Sequence, residues 1–166
     1  MRQLPLSVVL ILLLSPLNAQ TGGDNTYEFL NLNHSAFAAA TGGMTVSQGL
    51  GDLSLPYFNP ALLDNSMNND VSLNISTYFA GINYGYVSYG TTYKDLGTFA
   101  AGISFISYGR FTGSDAAGNI SGTFTAAEYS LNLIYSRPID SLFTVGINIK
   151  PVFSNLERYF SAGIYR

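Results

Sequence analysis

The 166-residue sequence has no cysteine, no tryptophan, one histidine and few charged side chains. The absence of cysteine excludes a disulfide scaffold and a thiol enzyme. Charged residues make up 10% of the chain, whereas soluble domains average about 25%. The formal net charge is −3, so there is no basic excess to neutralise nucleic acid phosphates. Apolar residues reach 47%, which disfavours disorder and raises the question of whether they face a core or a bilayer.

Residues 1–19 have the layout of a secretory signal peptide. One positive charge at Arg2 precedes an apolar run from Leu4 to Leu14, and Ala19 is a small residue at a plausible cleavage point before Gln20. This run is about eleven residues long, well below the roughly 20 that a membrane-spanning helix needs. We therefore expect an exported protein whose mature chain begins near Gln20.

Residues 20–70 are rich in glycine, asparagine, alanine and serine and show little period-2 alternation. Small apolar residues over 35–40 predict one short helix that ends at Gly42-Gly43. Pro60 is suited to the first position of a second short helix that runs through Asp64. The sequence thus predicts a compact irregular segment, which lies either in the periplasm or as a plug in a barrel lumen.

From residue 71 onward, apolar and polar side chains alternate, with many aromatic and β-branched residues. Side chains of a strand point to opposite faces in turn, so this pattern predicts strands. Six strands are predicted, over residues 71–79, 82–93, 98–108, 126–136, 143–153 and 157–166.

The length of these strands and the chemistry of their polar face favour a membrane barrel. The predicted strands of about 9–12 residues match the 9–11 that a tilted strand needs to cross a bilayer. The polar face is built from serine, threonine, asparagine, glycine and tyrosine, and Lys150 is its one clear mid-strand charge. A barrel lumen accepts such a face, with the apolar side chains directed outward to lipid. The alternative is a water-soluble β-sandwich or lipocalin-like barrel, which would bury those apolar residues.

The predicted connections alternate in length. Residues 94–97 and 137–142 form short turns, whereas residues 109–125 form a long loop. Short turns at one rim and long loops at the other are typical of outer-membrane barrels. In this assignment the two short turns are periplasmic and the long loop is extracellular.

The sequence offers little for catalysis or metal binding. His34 is the only histidine, and a metal site would need further ligands, so we interpret it as a surface or turn residue. No serine has a G-x-S-x-G context, and the S-x-x-K and K-T-G motifs of penicillin-binding enzymes are absent. We therefore predict a protein that is not an enzyme and has no cofactor, catalytic residue or metal site.

Four stretches of the chain carry a resemblance to a known family. They are GGDNTYEFLNL over residues 22–32, INYGYV over 82–87, GTFAAGI over 97–103 and GTFTAAEY over 122–129. With these stretches the chain, from about Gln20 to its end, resembles the PorQ family of the type IX secretion system of Bacteroidetes. The Gly42-Gly43 and Asn59-Pro60-Ala61 layout also resembles the N-terminal region of FadL-like outer-membrane barrels.

The resemblance implies an outer-membrane barrel that is not an enzyme, in a Gram-negative cell. Such a protein would serve with PorU-like, PorV-like and PorZ-like partners in attaching exported proteins to the cell surface, and would hold the PorZ-like component at the membrane. The alternative is a FadL-like transporter of hydrophobic ligands. The residues expected to form a partner-binding or plug segment are Asn25, Tyr27, Phe29, Leu30, Leu32, Asn59, Pro60 and Ala61.

The expected number of strands differs from that of the FadL-like group. A FadL-like barrel has about 14 strands, and bacterial barrels need at least about 8. Six strands would leave two unpaired edges, which lipid cannot satisfy. The chain therefore resembles the N-terminal part of a longer barrel, and alone we expect it neither to close nor to insert stably.

Overall fold

The computed structural model describes residues 27–43, 51–94, 96–115, 117–156 and 159–165. The predicted signal peptide and Asn25 lie outside these described residues. What is described consists of one antiparallel sheet and an irregular segment with short helices.

The sheet has six strands, each hydrogen-bonded to the next in chain order. Its strands are β1 (Asp70–Thr77), β2 (Asn83–Tyr93), β3 (Gly97–Ser114), β4 (Ile120–Pro138), β5 (Thr144–Leu156) and β6 (Tyr159–Tyr165). The prediction of an antiparallel, predominantly β fold is thereby confirmed. Within the described residues the sheet is open, because β1 and β6 do not pair with each other.

One predicted connection is wrong. Residues 109–125 were expected to form a long loop, but β3 and β4 continue as a paired hairpin and leave only 115–119 to connect them. The rings of Phe111 and Phe124 stack across the two strands at 5.3 Å, which favours continued pairing. The Asp115 carboxylate accepts hydrogen bonds from the backbone amides of Ala117 and Asn119. These bonds stabilise the short turn at the tip of the β3–β4 hairpin.

The two faces of the sheet differ in both chemistry and exposure. One face, called the apolar face, exposes large hydrophobic side chains, from 66% for Leu73 to 37% for Leu131. Its members include Val71, Leu73, Ile75, Val87, Tyr89, Ile103, Tyr129, Leu131, Leu133, Val145, Ile147, Ile149 and Phe153. The described residues form a single sheet, so no second sheet among them covers this face as a sandwich would require.

The opposite face, called the polar face, is buried. Its members include Ser88, Thr98, Ser104, Glu128, Ser130, Asn132, Ser136, Asn148, Lys150 and Ser154. This is the reverse of a soluble antiparallel sheet, which packs its apolar side on the core and turns its polar side to water.

The N-terminal segment, defined as described residues 27–43 and 51–69, covers the polar face. It contains one α-helix, α1 (Ala36–Ala40), and short 3-10 helices that include Pro60–Leu62. Ser35 caps α1 by accepting a hydrogen bond from the Ala38 amide, so the predicted helix at 35–40 is confirmed. The helix predicted from Pro60 is confirmed but ends earlier, at Leu62.

Two small hydrophobic clusters join the N-terminal segment to the sheet. In one cluster, Leu53, Leu63 and Met67 pack with Ala100 and Ile134. The core therefore lies between the segment and the polar face. None of the helices in the described part of the chain has the length and apolar character needed to cross a membrane.

Candidate functional site between the N-terminal segment and the sheet

Glycines on the strands allow the backbone of the N-terminal segment to approach the polar face. A Cβ at Gly146 would lie 2.4 Å from the carbonyl carbon of Pro60 and 2.5 Å from the amide nitrogen of Ala61. A Cβ at Gly90 would lie 2.8 Å from the carbonyl oxygen of Met67. Only glycine fits such contacts without displacing the backbone. These two glycines thus fix where the N-terminal segment rests on β2 and β5.

The Asn59-Pro60-Ala61 motif is the part of the segment that rests on Gly146. The Asn59 side chain accepts a hydrogen bond from the Ala61 amide and so caps the 3-10 helix that begins at Pro60. Next to this motif, Asn148 on β5 donates a hydrogen bond to the Tyr57 carbonyl at 3.0 Å. The motif that the sequence singled out therefore lies against β5.

The other predicted residues, at 27–32, contact the far end of the polar face. Phe29 and Leu30 are buried in a cluster with Ile106 and Val152, and Tyr27 and Leu32 pack against it. The Tyr27 hydroxyl also donates a hydrogen bond to Ser161 Oγ on β6 at 3.2 Å. The buried members of the predicted set thus contact this protein's own sheet.

His34 is buried, and its expected position at the surface is therefore wrong. It is 3% exposed and packs against the rings of Tyr57 and Tyr86, with centroids 4.7 Å and 5.5 Å away. Neither ring nitrogen has a hydrogen-bond partner in the part of the chain that the structure describes. Its neighbour Ser35 binds Asp52, whose carboxylate accepts from the serine hydroxyl at 2.9 Å. Burial here is produced by the sheet, which supplies Tyr86.

Lys150 reaches the same cluster of rings from the sheet. It is 7% exposed, and its Nζ lies 3.9 Å from the centroid of the Tyr57 ring and 5.8 Å from that of Phe58. A cation over an aromatic face is stabilised by the ring quadrupole. Among the described residues no carboxylate forms an ion pair with it. We call His34, Tyr57, Tyr86, Asn132 and Lys150 the ring cluster.

Burial governs the acid–base behaviour of the two segment residues in the ring cluster. Desolvation, and secondarily the positive charge of Lys150, lowers the pKa of His34 to about 4. Desolvation raises the pKa of the Tyr57 hydroxyl, which donates a hydrogen bond to the Leu30 carbonyl at 3.0 Å. At neutral pH the imidazole is uncharged and the phenol keeps its proton.

Several buried polar atoms of the ring cluster have no hydrogen-bond partner among the residues that the structure describes. They include the Tyr86 hydroxyl and the side-chain oxygen of Asn132. A Cβ at Gly102 would lie 2.7 Å from the Tyr86 hydroxyl, so the tyrosine extends across β3 toward β4. The register that pairs Ser130 with Val152 and Leu133 with Ile149 places Asn132 opposite Lys150. Since Gly102 pairs with Asn132, the Tyr86 hydroxyl thus reaches into the row that contains Asn132 and Lys150.

His34 is not paired as the base of a catalytic dyad or triad is. Within the described residues it forms no hydrogen bond through either nitrogen, so it is paired with no serine or carboxylate there. Among the described residues, no group of three or more histidine or acidic side chains is placed to hold a metal ion.

Glu128 is a second buried charge on the polar face, which the sequence analysis did not single out. Its carboxylate accepts a hydrogen bond from the Tyr108 hydroxyl at 2.6 Å, and the residue is 7% exposed. The alternation of polar and apolar residues predicts that Glu128 lies on the serine-bearing face of β4. It does not predict that Glu128 is buried, because burial depends on residues that are distant in the chain, such as Tyr108.

No protein-family model, no curated protein and no solved structure matches this chain.

Proposed function

We propose that this chain is an outer-membrane component of the type IX protein secretion system that is not an enzyme. In this proposal its strands belong to a FadL-like barrel, and it helps hold the surface attachment complex, through a PorZ-like partner, at the membrane. PorU-like and PorV-like proteins are the other expected members of that assembly. The family part of the proposal rests on the sequence stretches at 22–32, 82–87, 97–103 and 122–129.

The observation that carries the membrane part is the inverted sheet. Leu73, Val87, Ile103 and Leu131 form one continuous row across β1 to β4 by the strand register, and each is between 37% and 66% exposed. Contiguous apolar surface of this kind marks a membrane or protein contact. A lipid-facing sheet has this pattern, with apolar side chains outside and small polar ones inside.

The partner is tested by isolating the tagged protein from intact envelope in mild detergent. We expect PorZ-like and PorU-like proteins to copurify with it, and not with an equally tagged outer-membrane protein of another system. Recovery of the tagged protein without a PorZ-like component, from an envelope in which PorU-like and PorV-like proteins still copurify with each other, would contradict the proposal.

A FadL-like transporter is the second candidate. The close packing of Asn59-Pro60-Ala61 on Gly146 favours it. A segment packed on the inner face of a barrel would act as a plug and would help to line a ligand site. This candidate predicts a hydrophobic ligand in solvent extracts of the purified protein, lost in a Gly146→Ala variant because the added methyl displaces the motif. Extracts without such a ligand would eliminate it.

A further inference from the structure

We propose that the ring cluster binds a compact monovalent anion, such as a halide ion, between the N-terminal segment and the sheet. The inference does not depend on the proposed role in secretion. It rests on the buried lysine, the unpartnered donors beside it and the spacing of the rings.

Lys150 carries a positive charge in a buried position. Its ammonium is buried against the Tyr57 ring and forms no ion pair in the described part of the chain. Glu128, the other buried charge on the polar face, lies four residues from Asn132 along β4, which is about 13 Å at 3.3 Å per residue. A buried charge is costly unless an opposite charge and hydrogen bonds compensate it, and the rings of the cluster compensate it only in part.

The ring cluster also contains buried hydrogen-bond donors that lack partners among the described residues. Tyr86 is 0% exposed, and its hydroxyl has no hydrogen-bond partner among the described residues. Neutral His34 carries one N–H, and within the same residues neither of its nitrogens has a partner. The ammonium, the phenol and the imidazole N–H are all hydrogen-bond donors. The amide oxygens of Asn132 and Asn148, also unpartnered, are acceptors that suit the ammonium but carry no charge. A water molecule would satisfy the hydroxyl and leave the charge of Lys150 uncompensated.

The spacing of the rings limits the size of the ligand that the ring cluster would bind. The centroids of His34, Tyr57 and Tyr86 are separated by 4.7, 5.2 and 5.5 Å. Rings this close are in contact, so a long chain does not fit between them, and the proposed ligand is restricted to a compact ion. Since His34 and Tyr57 belong to the N-terminal segment and Tyr86 and Lys150 to the sheet, the anion would also hold the segment in place.

Bromide tests the site in the protein isolated in mild detergent. We expect the thermal unfolding midpoint to rise by several degrees, with saturation, when sodium bromide replaces sodium gluconate at equal ionic strength, since gluconate is too large for the cluster. A Lys150→Met variant should lose this dependence. A Lys94→Met variant, which changes an exposed turn lysine, should retain it.

A second variant covers the case in which Lys150→Met does not fold. Tyr86→Phe keeps the charge and removes one donor, so we expect the bromide concentration for half the effect to increase severalfold. Equal midpoints of the unchanged protein in the two salts would overturn the proposal. So would a Tyr86→Phe or Lys150→Met variant that responds to bromide as the unchanged protein does.

Discussion

At the scale of single residues, two members of the ring cluster contact the Tyr57 ring. His34 approaches it from the N-terminal segment and Lys150 from the sheet. The imidazole packs on the ring edge at 4.7 Å and the ammonium lies 3.9 Å from the ring centroid. Protonation of His34 would place a second positive charge in a site that already contains one. The site therefore stabilises the neutral imidazole, and that preference links its stability to pH.

We predict that stability falls as the pH drops below about 6.5. The pKa of His34 is about 4 when folded and 6.5 ordinarily, so between these values the unfolded chain binds more protons. The contribution of His34 to the free energy of unfolding should be constant above pH 6.5 and decrease below it, with a slope approaching about 1.4 kcal/mol per pH unit. Denaturant titrations between pH 4.5 and 8 measure this.

His34 is the only histidine in the chain, which makes the control direct. A His34→Gln variant should lose the slope between pH 5 and 6.5 even if its overall stability is lower. A slope that persists unchanged in this variant would assign the effect to other groups.

At the scale of elements, the N-terminal segment is held on the sheet by close backbone approach as well as by hydrophobic contact. Gly146 and Gly90 admit the backbone of the segment at β5 and β2, and Leu53, Leu63 and Met67 fill the space between these points. Asn148 adds a hydrogen bond to the Tyr57 carbonyl. The position of the segment thus depends on small residues at particular sites of the strands.

We predict that Gly146→Ala loosens the N-terminal segment. The added methyl would overlap the backbone of Pro60 and Ala61, and overpacking of this kind costs about 1–3 kcal/mol. Limited proteolysis should cut within residues 51–69 faster than in the unchanged protein. The matched control is Gly113→Ala, where the nearest atom is the Ser121 hydroxyl at 3.0 Å and φ is not positive. Equal cleavage rates for the two variants would contradict this account.

At the scale of the whole molecule, the sheet has its polar side covered by its own chain and its apolar side uncovered within the described residues. In water such a sheet would expose a broad hydrophobic surface while burying serines, asparagines, a lysine and a glutamate. In a bilayer both faces would be covered favourably, the apolar face by lipid and the polar face by the N-terminal segment, whereas the edges at β1 and β6 would need further strands to pair with. The environment of the apolar face therefore decides between a membrane and a water-soluble protein.

We predict that Ile103→Lys, made in the complete barrel that the resemblance implies, destabilises that barrel in lipid vesicles by about 2–4 kcal/mol, the cost of a lysine near the bilayer midplane. Ile103 is 48% exposed in the middle of β3, whereas Leu142 is 82% exposed in the turn between β4 and β5. Leu142→Lys is thus the control, with an expected cost of about 0–1 kcal/mol. Unfolding free energies in vesicles measure both.

A water-facing sheet gives the opposite expectation. Exposed substitutions away from special features usually change stability by no more than about 0.5 kcal/mol, so Ile103→Lys and Leu142→Lys would then be equivalent. That result would remove the basis for the membrane part of the proposed function.

Local patterns in the chain were enough to predict the two-faced strands, the antiparallel order and the short helices at Ser35 and Pro60. Each depends on neighbours in the chain: alternation sets the faces of a strand, and a capping side chain or a proline sets the start of a helix. The same local reasoning missed the extension of β3 and β4, because Phe111 and Phe124 stabilise the hairpin only once the two strands pair.

Tertiary contacts place the N-terminal segment on the polar face and bring His34 and Lys150 together there. These contacts join residues far apart in the chain, as in the hydrogen bond from Asn148 to Tyr57. No local pattern specifies such a meeting, because the fit depends on the absence of a side chain at Gly146 and on the reach of Tyr86 over Gly102. The alternation of apolar and polar residues predicts the chemistry of each face of the sheet. Long-range packing determines which part of the chain covers the polar face.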